Sequence, residues 1–184
     1  MKSIAFMPRK AGTSRQHFRD YYEQKHSPLA VPLFPFTRYR RNHIRDAAIE
    51  PGYDAVSEFW SEEFEAIGEL MEGEVGDTMK ADELNFLEQP QIRAAVAEPV
   101  LTEADEGDTL LLLDRDGGDR EALIDACRAV GASLDFLSAM DARGLPHDAM
   151  VRVADAEPDL PGGWSCAWKL PVERAESDMD TAHS

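Results

Sequence analysis

Residues 13–29 read Thr-Ser-Arg-Gln-His-Phe-Arg-Asp-Tyr-Tyr-Glu-Gln-Lys-His-Ser-Pro-Leu, and this stretch predicts the first helix of the chain. Thr13 is a suitable N-cap, since its hydroxyl group can accept a hydrogen bond from the first turn. Ring side chains then recur every four residues and share one face of the helix: Phe18, Tyr22 and His26. We expect the helix to end at Pro28, because proline has no backbone N–H group.

Strands are predicted on both sides of this helix. An alternating run over residues 2–8 precedes it, and residues 37–45 and 53–60 form two strands after it. Ser61 caps a second amphipathic helix, and residues 91–101 form the last strand of this part. The order strand, helix, strand, strand, helix, strand is that of a ferredoxin-like domain, an α+β layer of helices on an antiparallel sheet.

The second part of the chain repeats this order incompletely. The predicted elements are a strand at 108–114, a helix at 120–130, and strands at 133–140, 150–153 and 164–171. No second helix is evident between residues 153 and 163. We therefore predict two ferredoxin-like halves, a complete one at residues 1–102 and an incomplete one at 105–172. A polar, flexible tail is expected at residues 173–184.

The composition restricts the function classes. The chain has 184 residues, of which 36 are acidic and 19 basic, and a formal net charge of −17. Such acidity argues against nucleic-acid binding, which needs a basic surface. No apolar run approaches the ~18 residues of a membrane span, and the N-terminus lacks the apolar stretch of a secretory signal. The two cysteines, Cys127 and Cys166, lie far apart, so we predict a cytoplasmic protein without a disulfide scaffold.

The charge is unevenly distributed along the chain. Residues 1–45 carry ten Lys or Arg residues and only two acidic ones, whereas the remainder of the chain is strongly acidic. The basic segment can pair with acidic surface of the same chain or of a second copy. Alternatively, Arg38, Arg40 and Arg41 can attract an anionic ligand.

Three motifs in the first half follow one another in a fixed order. They are F-x-x-Y-Y-x-x-x-H-x-P-L at residues 18–29, R-Y-x-x-N at 38–42 and Y-D-x-x-x-E-x-W at 53–60. This order resembles the EthD family. The resemblance implies a dimeric α+β barrel, in which two ferredoxin-like sheets close face to face around a ligand cavity. It also implies that a homodimer can form unless the second half supplies the partner sheet.

Some EthD-family members in aromatic polyketide pathways act as dehydratases, decarboxylases or cyclases, and others are accessory proteins. The resemblance places His26 at the mouth of the cavity. An imidazole with a pKa near ~6.5 can accept and return a proton at neutral pH, so His26 is the leading catalytic candidate. A histidine near a helix end can instead be structural.

Tyr22 and Tyr39 are the other catalytic candidates, because their phenol groups can stabilise a developing oxyanion. Both can equally well pack in the core. The candidate substrate-binding residues, each with a structural alternative, are Arg38, Asn42, Asp54, Phe34, Phe36 and Trp60. His43 and His147 are weaker candidates, since His43 alternates to the strand face opposite Arg38.

We therefore predict a lyase or isomerase that transfers a proton without a cofactor, on a small, hydrophobic, oxygenated and aromatic or polyketide-like substrate. The sequence has neither the histidine spacing of a metal site nor a glycine-rich phosphate loop. One alternative is a non-catalytic binding or accessory protein, favoured by the lack of an acid–base partner for His26 nearby in sequence. Another is a haem-using barrel with His26 or His43 as the axial ligand.

Overall fold

A computed structural model describes residues 1–177 and Met179. The chain forms two compact units. The first unit comprises residues 1–43, 50–92 and those from 174 onward, and the second comprises residues 44–49 and 93–173. Among the described residues, no helix is both long and apolar enough to cross a membrane.

The first unit contains three strands and four α-helices within the described residues. In chain order these are β1 (Lys2–Met7), α1 (Arg15–Tyr21), α2 (Ser27–Ala30), β2 (Arg38–Ile44), β3 (Ala55–Trp60), α3 (Phe64–Glu72) and α4 (Glu74–Glu83). A π-helical turn over Tyr22–His26 joins α1 to α2, and 3₁₀ turns lie at Val31–Leu33 and Gln89–Gln91.

The start and end of the first helical segment differ from the prediction. Ser14, not Thr13, is the N-cap, and its Oγ accepts a hydrogen bond from the His17 N–H at 3.1 Å. Thr13 instead donates its hydroxyl proton to the Lys10 carbonyl oxygen at 2.7 Å. Pro28 does not end the helical segment, because it lies in the first turn of α2, where no N–H donor is needed.

The sheet of the first unit has β3 at its centre, antiparallel to β1 and β2. Directly opposed residues share a face, and successive residues alternate between faces. One face, here called the helix face, carries Met7, Tyr39 and Ala55, which share a hydrophobic core with Phe18 and Met79 from the helical segments. The other face, here called the polar face, carries Lys2, Arg38, Arg40, Asn42, Glu58 and Trp60.

The second unit is an antiparallel sheet with one helix. Its elements are β4 (Arg93–Thr102), β5 (Thr109–Arg115), α5 (Arg120–Ala129), β6 (Ser133–Ala139), β7 (Ala149–Val153) and β8 (Trp164–Glu176), whose last three residues belong to the first unit. The strand order is β8-β5-β7-β6-β4. Leu123 and Cys127 of α5 pack on this sheet, and Asp119 caps the helix by accepting from the Glu121 N–H at 3.1 Å.

The α+β class predicted from the sequence is confirmed, whereas the description as two ferredoxin-like halves stays a prediction. β4 groups with the second unit, because it pairs with β6 along most of its length. β8 includes residues 173–176 of the predicted flexible tail, and residues 178 and 180–184 lie outside the described part of the chain.

Candidate functional site

The three predicted catalytic residues lie close together on the helix side of the first unit. Tyr39 donates its hydroxyl proton to the Tyr22 hydroxyl oxygen at 2.9 Å, and Tyr22 shares a hydrogen bond of 2.8 Å with Ser57 Oγ. The rings of Tyr22 and His26 meet edge to face at 5.1 Å. The π-helical turn carries both Tyr22 and His26, so the helical segment holds them against β2 and β3.

His26 has a carboxylate partner that the sequence did not reveal. Its Nδ1 atom lies 2.7 Å from Asp82 Oδ2 in α4, 56 residues further along the chain. Tyr21 donates its hydroxyl proton to the other oxygen of Asp82 at 2.8 Å. His26 is 4% exposed, and its ring packs 4.9 Å from that of Phe86. Asp82 was not distinguishable in the sequence, because it is one of 36 acidic residues and only the packing of α4 brings it to His26.

Burial dominates the protonation behaviour of this cluster. It lowers the pKa of His26, although the hydrogen bond and charge of Asp82 act in the opposite direction. Burial also raises the pKa of Tyr22 to about 12 and that of Tyr39 well above its ordinary value. Neutral imidazole and protonated phenols are therefore the forms that this environment favours at neutral pH.

A second histidine–carboxylate pair lies on the same face. His43 Nε2 is 2.6 Å from Glu23 Oε1, and Arg41 donates to both Glu23 oxygens at 3.1 and 2.6 Å. Burial by itself would raise the pKa of Glu23, but hydrogen bonds from His43 and Arg41 outweigh it and bring this pKa to about 2. His43 Nδ1 is buried and has no hydrogen-bond partner among the residues described.

Three of the predicted substrate-binding residues lie on the polar face, away from His26. Arg38 and Trp60 are directly opposed across β2 and β3, and Asn42 is opposite Val56. The Asn42 side chain donates to the Val56 carbonyl oxygen at 2.8 Å and to Glu58 Oε1 at 2.9 Å. The structure therefore separates Arg38, Asn42 and Trp60 from the three catalytic candidates, which belong to the helix side.

Asp54 lies directly before β3. Its carboxylate accepts hydrogen bonds from the Arg9 backbone N–H at 2.9 Å and from Arg15 Nε at 2.8 Å, and it forms an ion pair with the Arg9 guanidinium. These contacts tie the loop after β1 to the start of β3. In the structure Asp54 is thus held by arginines.

Phe34 and Phe36 do lie in the core that contains Tyr22 and Tyr39. Their rings stack on each other at 5.3 Å, and the Phe36 ring lies 5.5 Å from that of Tyr39. These rings form a continuous aromatic path. Of the six predicted binding residues, only these two join the catalytic candidates.

The motifs that resemble EthD agree with a direct comparison. The family model of the EthD domain matches residues 10–90. We refer to residues 10–90 by this match, as the EthD domain. The matched segment contains all nine predicted site residues and both histidine–carboxylate pairs of the first unit.

The chain is also similar to a solved structure. A crystal structure of an ethyl tert-butyl ether D (EthD) family protein from Bacillus halodurans is 18% identical in sequence, with a TM-score of 0.39. The similarity covers 48% of this chain and 87% of the other. No protein of curated function matches the chain.

A cleft of about 670 Å³ opens at the surface of the EthD domain. The segment from Pro32 to Pro35 forms one side, and α3 and α4 contribute Ala66, Leu70 and Val75. Phe34 is at once a wall of this cleft and the first ring of the aromatic path to Tyr39. The cleft is therefore apolar where it approaches the candidate residues.

A smaller and more polar cavity of about 260 Å³ lies beside the loop after β1. Arg9, Lys10 and Asp54 contribute to its lining. None of the described residues that line these two cavities is a histidine. Within the described part of the chain, no three His, Cys, Asp or Glu side chains are grouped as metal ligands.

The basic segment pairs extensively with carboxylates of the same chain. Its ion pairs are Lys2–Glu58, Arg9–Asp54, Arg15–Asp54, Arg38–Glu176, Arg40–Glu176, Arg41–Glu23 and Arg45–Asp108. This is the arrangement expected if the segment neutralises acidic side chains of its own chain.

Proposed function

We propose that the EthD domain is a lyase or isomerase that transfers a proton through His26, without a cofactor. The observation that carries this proposal is the pairing of His26 with Asp82. The lack of an acid–base partner near His26 in sequence had favoured a binding protein, and Asp82 supplies that partner from α4.

The pairing favours one tautomer of the imidazole. A carboxylate beside Nδ1 accepts a hydrogen bond from the Nδ1–H group, which leaves the Nε2 lone pair for a substrate proton. Burial lowers the pKa of His26, so the ring is neutral and able to act as a base at pH 7. Asp82 then stabilises the imidazolium that forms, and acts as a positioning residue.

The substrate class follows from the surroundings. Phe34, Phe36 and Tyr39 supply aromatic surface from the cleft inward, which favours a hydrophobic and aromatic molecule. The phenols of Tyr22 and Tyr39 stay protonated. Tyr39 donates its proton to Tyr22, and Tyr22 can donate to a substrate oxygen that gains negative charge when Ser57 is the donor in their shared hydrogen bond. An aryl ketone or polyketide-like compound, from which a base removes a proton next to the carbonyl group, has these features.

The test is deuterium exchange at carbon. With 2,4-dihydroxyacetophenone in D₂O, we expect the protein to accelerate deuteration of the acetyl methyl group, followed by proton NMR. His26→Gln should slow the protein-dependent rate by about 10²–10⁴-fold, the usual contribution of general acid–base catalysis. His17→Gln is the matched control, since His17 is an exposed histidine on the same helical segment.

A non-catalytic binding or accessory protein is the second candidate. The observation that favours it is the burial of His26, which is 4% exposed. Such a protein would bind the aryl ketone with the same affinity before and after His26→Gln and would not accelerate exchange in either form. Measuring affinity and exchange on the same samples therefore distinguishes the two functions.

Haem does not fit the histidines of this domain. His26 and His43 are only 4% and 3% exposed. Within the described part of the chain, no histidine lines either the cleft or the smaller cavity. Purified protein should accordingly show no Soret band after addition of haemin, and a stoichiometric Soret band would contradict this conclusion.

A further inference from the structure

Glu176 lies at the end of β8, where two arginines of β2 bind its carboxylate. Arg38 donates from Nε to Oε2 at 3.1 Å and from a terminal nitrogen to Oε1 at 3.0 Å. Arg40 Nε donates to Oε1 at 2.7 Å, and Arg174 Nε lies 3.6 Å from the same oxygen. One carboxylate thus lies among three guanidinium groups.

These groups differ in their access to solvent. The side chain of Arg40 is fully buried, whereas those of Arg38 and Glu176 are 33% and 34% exposed. A buried guanidinium group is costly unless an anion neutralises it. A dissolved anion can therefore reach the position of the Glu176 carboxylate. Arg40 lies at the buried end of that position.

Trp60 packs against both arginines. The guanidinium carbons of Arg38 and Arg40 lie 4.9 and 5.8 Å from the centre of its ring. The other carboxylate of the polar face, Glu58, is bound by Lys2 Nζ at 2.7 Å and by Asn42 Nδ2 at 2.9 Å, and lies 3.8 Å from Arg40. Glu176 is the carboxylate to which both Arg38 and Arg40 donate hydrogen bonds.

We propose that Arg38 and Arg40, which pack against Trp60, form a binding site for a small carboxylate that Glu176 occupies in the unliganded protein. Planar guanidinium groups match the geometry of a carboxylate and hold it by paired, charge-assisted hydrogen bonds. The site is on the polar face, opposite the face that packs with His26, and does not depend on the function proposed above.

The end of β8 can stay in place while the Glu176 side chain leaves. The N–H group of Ser177 donates to the Tyr39 carbonyl oxygen at 3.1 Å, and Ser177 Oγ accepts from Arg41 at 2.6 Å. Both contacts involve the neighbouring residue, so rotation of one side chain is enough to vacate the site. A tethered carboxylate competes at a high effective concentration, which weakens the apparent affinity of the unmodified protein for a ligand.

Isothermal titration calorimetry with sodium benzoate tests the proposal. We expect Glu176→Gln to bind benzoate at least about tenfold more tightly than the unmodified protein, since the competing charge is gone. Benzamide, which has the same ring without the charge, should bind neither protein. Glu50→Gln is the matched control, because it removes one carboxylate beside Arg9 and Arg15 while Asp54 still neutralises that pair.

A double variant tests whether any gain in benzoate affinity depends on the arginines. Arg38→Gln in the Glu176→Gln background should return benzoate binding to the level of the unmodified protein or below it. Glu176→Asp keeps the charge but shortens the side chain, so its benzoate affinity should lie between those of the other two proteins. Unchanged affinity in both Glu176 variants, equal binding of benzamide, or binding that survives Arg38→Gln would each overturn the proposal.

Discussion

The hydroxyl group of Tyr39 donates a hydrogen bond to the hydroxyl oxygen of Tyr22 over 2.9 Å, and both side chains are fully buried. Tyr22 bonds in turn to Ser57 at 2.8 Å, so its oxygen is the middle member of a chain of three hydroxyl groups. This chain connects the π-helical turn to β2 and β3. It therefore sets the position of the turn that also carries His26.

The position of Tyr22 in this chain predicts an order of stabilities. Tyr22→Phe leaves two buried hydroxyl groups without their shared partner, and should lower the free energy of unfolding by about 2–3 kcal/mol. Tyr39→Phe leaves Tyr22 bonded to Ser57, and should cost about 1 kcal/mol. Urea unfolding at pH 7 measures both, and equal losses or the reverse order would contradict the chain.

The buried imidazole of His26 predicts a pH dependence of stability. Burial lowers its pKa, so between this value and the ordinary ~6.5 the unfolded chain binds more protons than the folded one. The free energy of unfolding should therefore decrease as the pH falls below ~6.5, by at most about 1.4 kcal/mol per pH unit from this group.

As the pH falls, the free energy of unfolding should decrease less in His26→Gln, which lacks the imidazole, than in the unmodified protein. Urea titrations at pH 7, 6 and 5 measure the difference, and His17→Gln, at an exposed position, serves as the control. Parallel curves for the unmodified protein and His26→Gln would show that burial of His26 has no such effect.

The charge of Glu23 predicts a second loss of stability, at lower pH. Its pKa of about 2 lies below the ordinary value of 4.5, so the stabilisation by its charge is complete above pH ~4.5 and is lost as the pH falls towards 2. At pH 7, Glu23→Gln should cost about 2–4 kcal/mol, somewhat less than a fully buried pair, because a quarter of the side chain is exposed.

The difference between Glu23→Gln and the unmodified protein should shrink between pH 4.5 and pH 3. Thermal unfolding across this range measures it, with Glu62→Gln at an exposed position as the control. A difference that stays constant with pH would mean that the Glu23 charge does not provide the stabilisation.

Replacing a glycine by alanine should have opposite effects on stability at two positions in α3 and α4. A Cβ atom at Gly76 of α4 would clash with the Met71 carbonyl group of α3, so Gly76→Ala should force α3 and α4 apart and lower the melting temperature. Gly68 of α3 has no atom within 4 Å of such a Cβ, and Gly68→Ala should add about 1 kcal/mol by helix propensity. Calorimetry measures both, and a stabilised Gly76→Ala would contradict the close approach.

Local patterns predicted most of the secondary structure. The strand predicted at 133–140 is observed at Ser133–Ala139, and the helix predicted at 120–130 is observed at Arg120–Ala129. Both depend on neighbouring residues, through alternation, spacing and the cap at Asp119. The error at Thr13 arose because the adjacent Ser14 competes for the same capping role. The error at Pro28 arose because proline is tolerated in the first turn of a helix, here α2.

By itself the sequence determined the α+β class, the motifs of the EthD domain and the alternation of Arg38 and Tyr39 to opposite faces of β2. Tertiary structure alone decided which of these faces packs with His26, and it brought Asp82 and Glu176 to their partners. Glu176 lies 136 residues from Arg40, and His26 and Asp82 lie 56 residues apart. The alternation of a strand shows which residues share a face, but it does not show which element packs on that face. A carboxylate pairs with whichever cation the fold brings within reach.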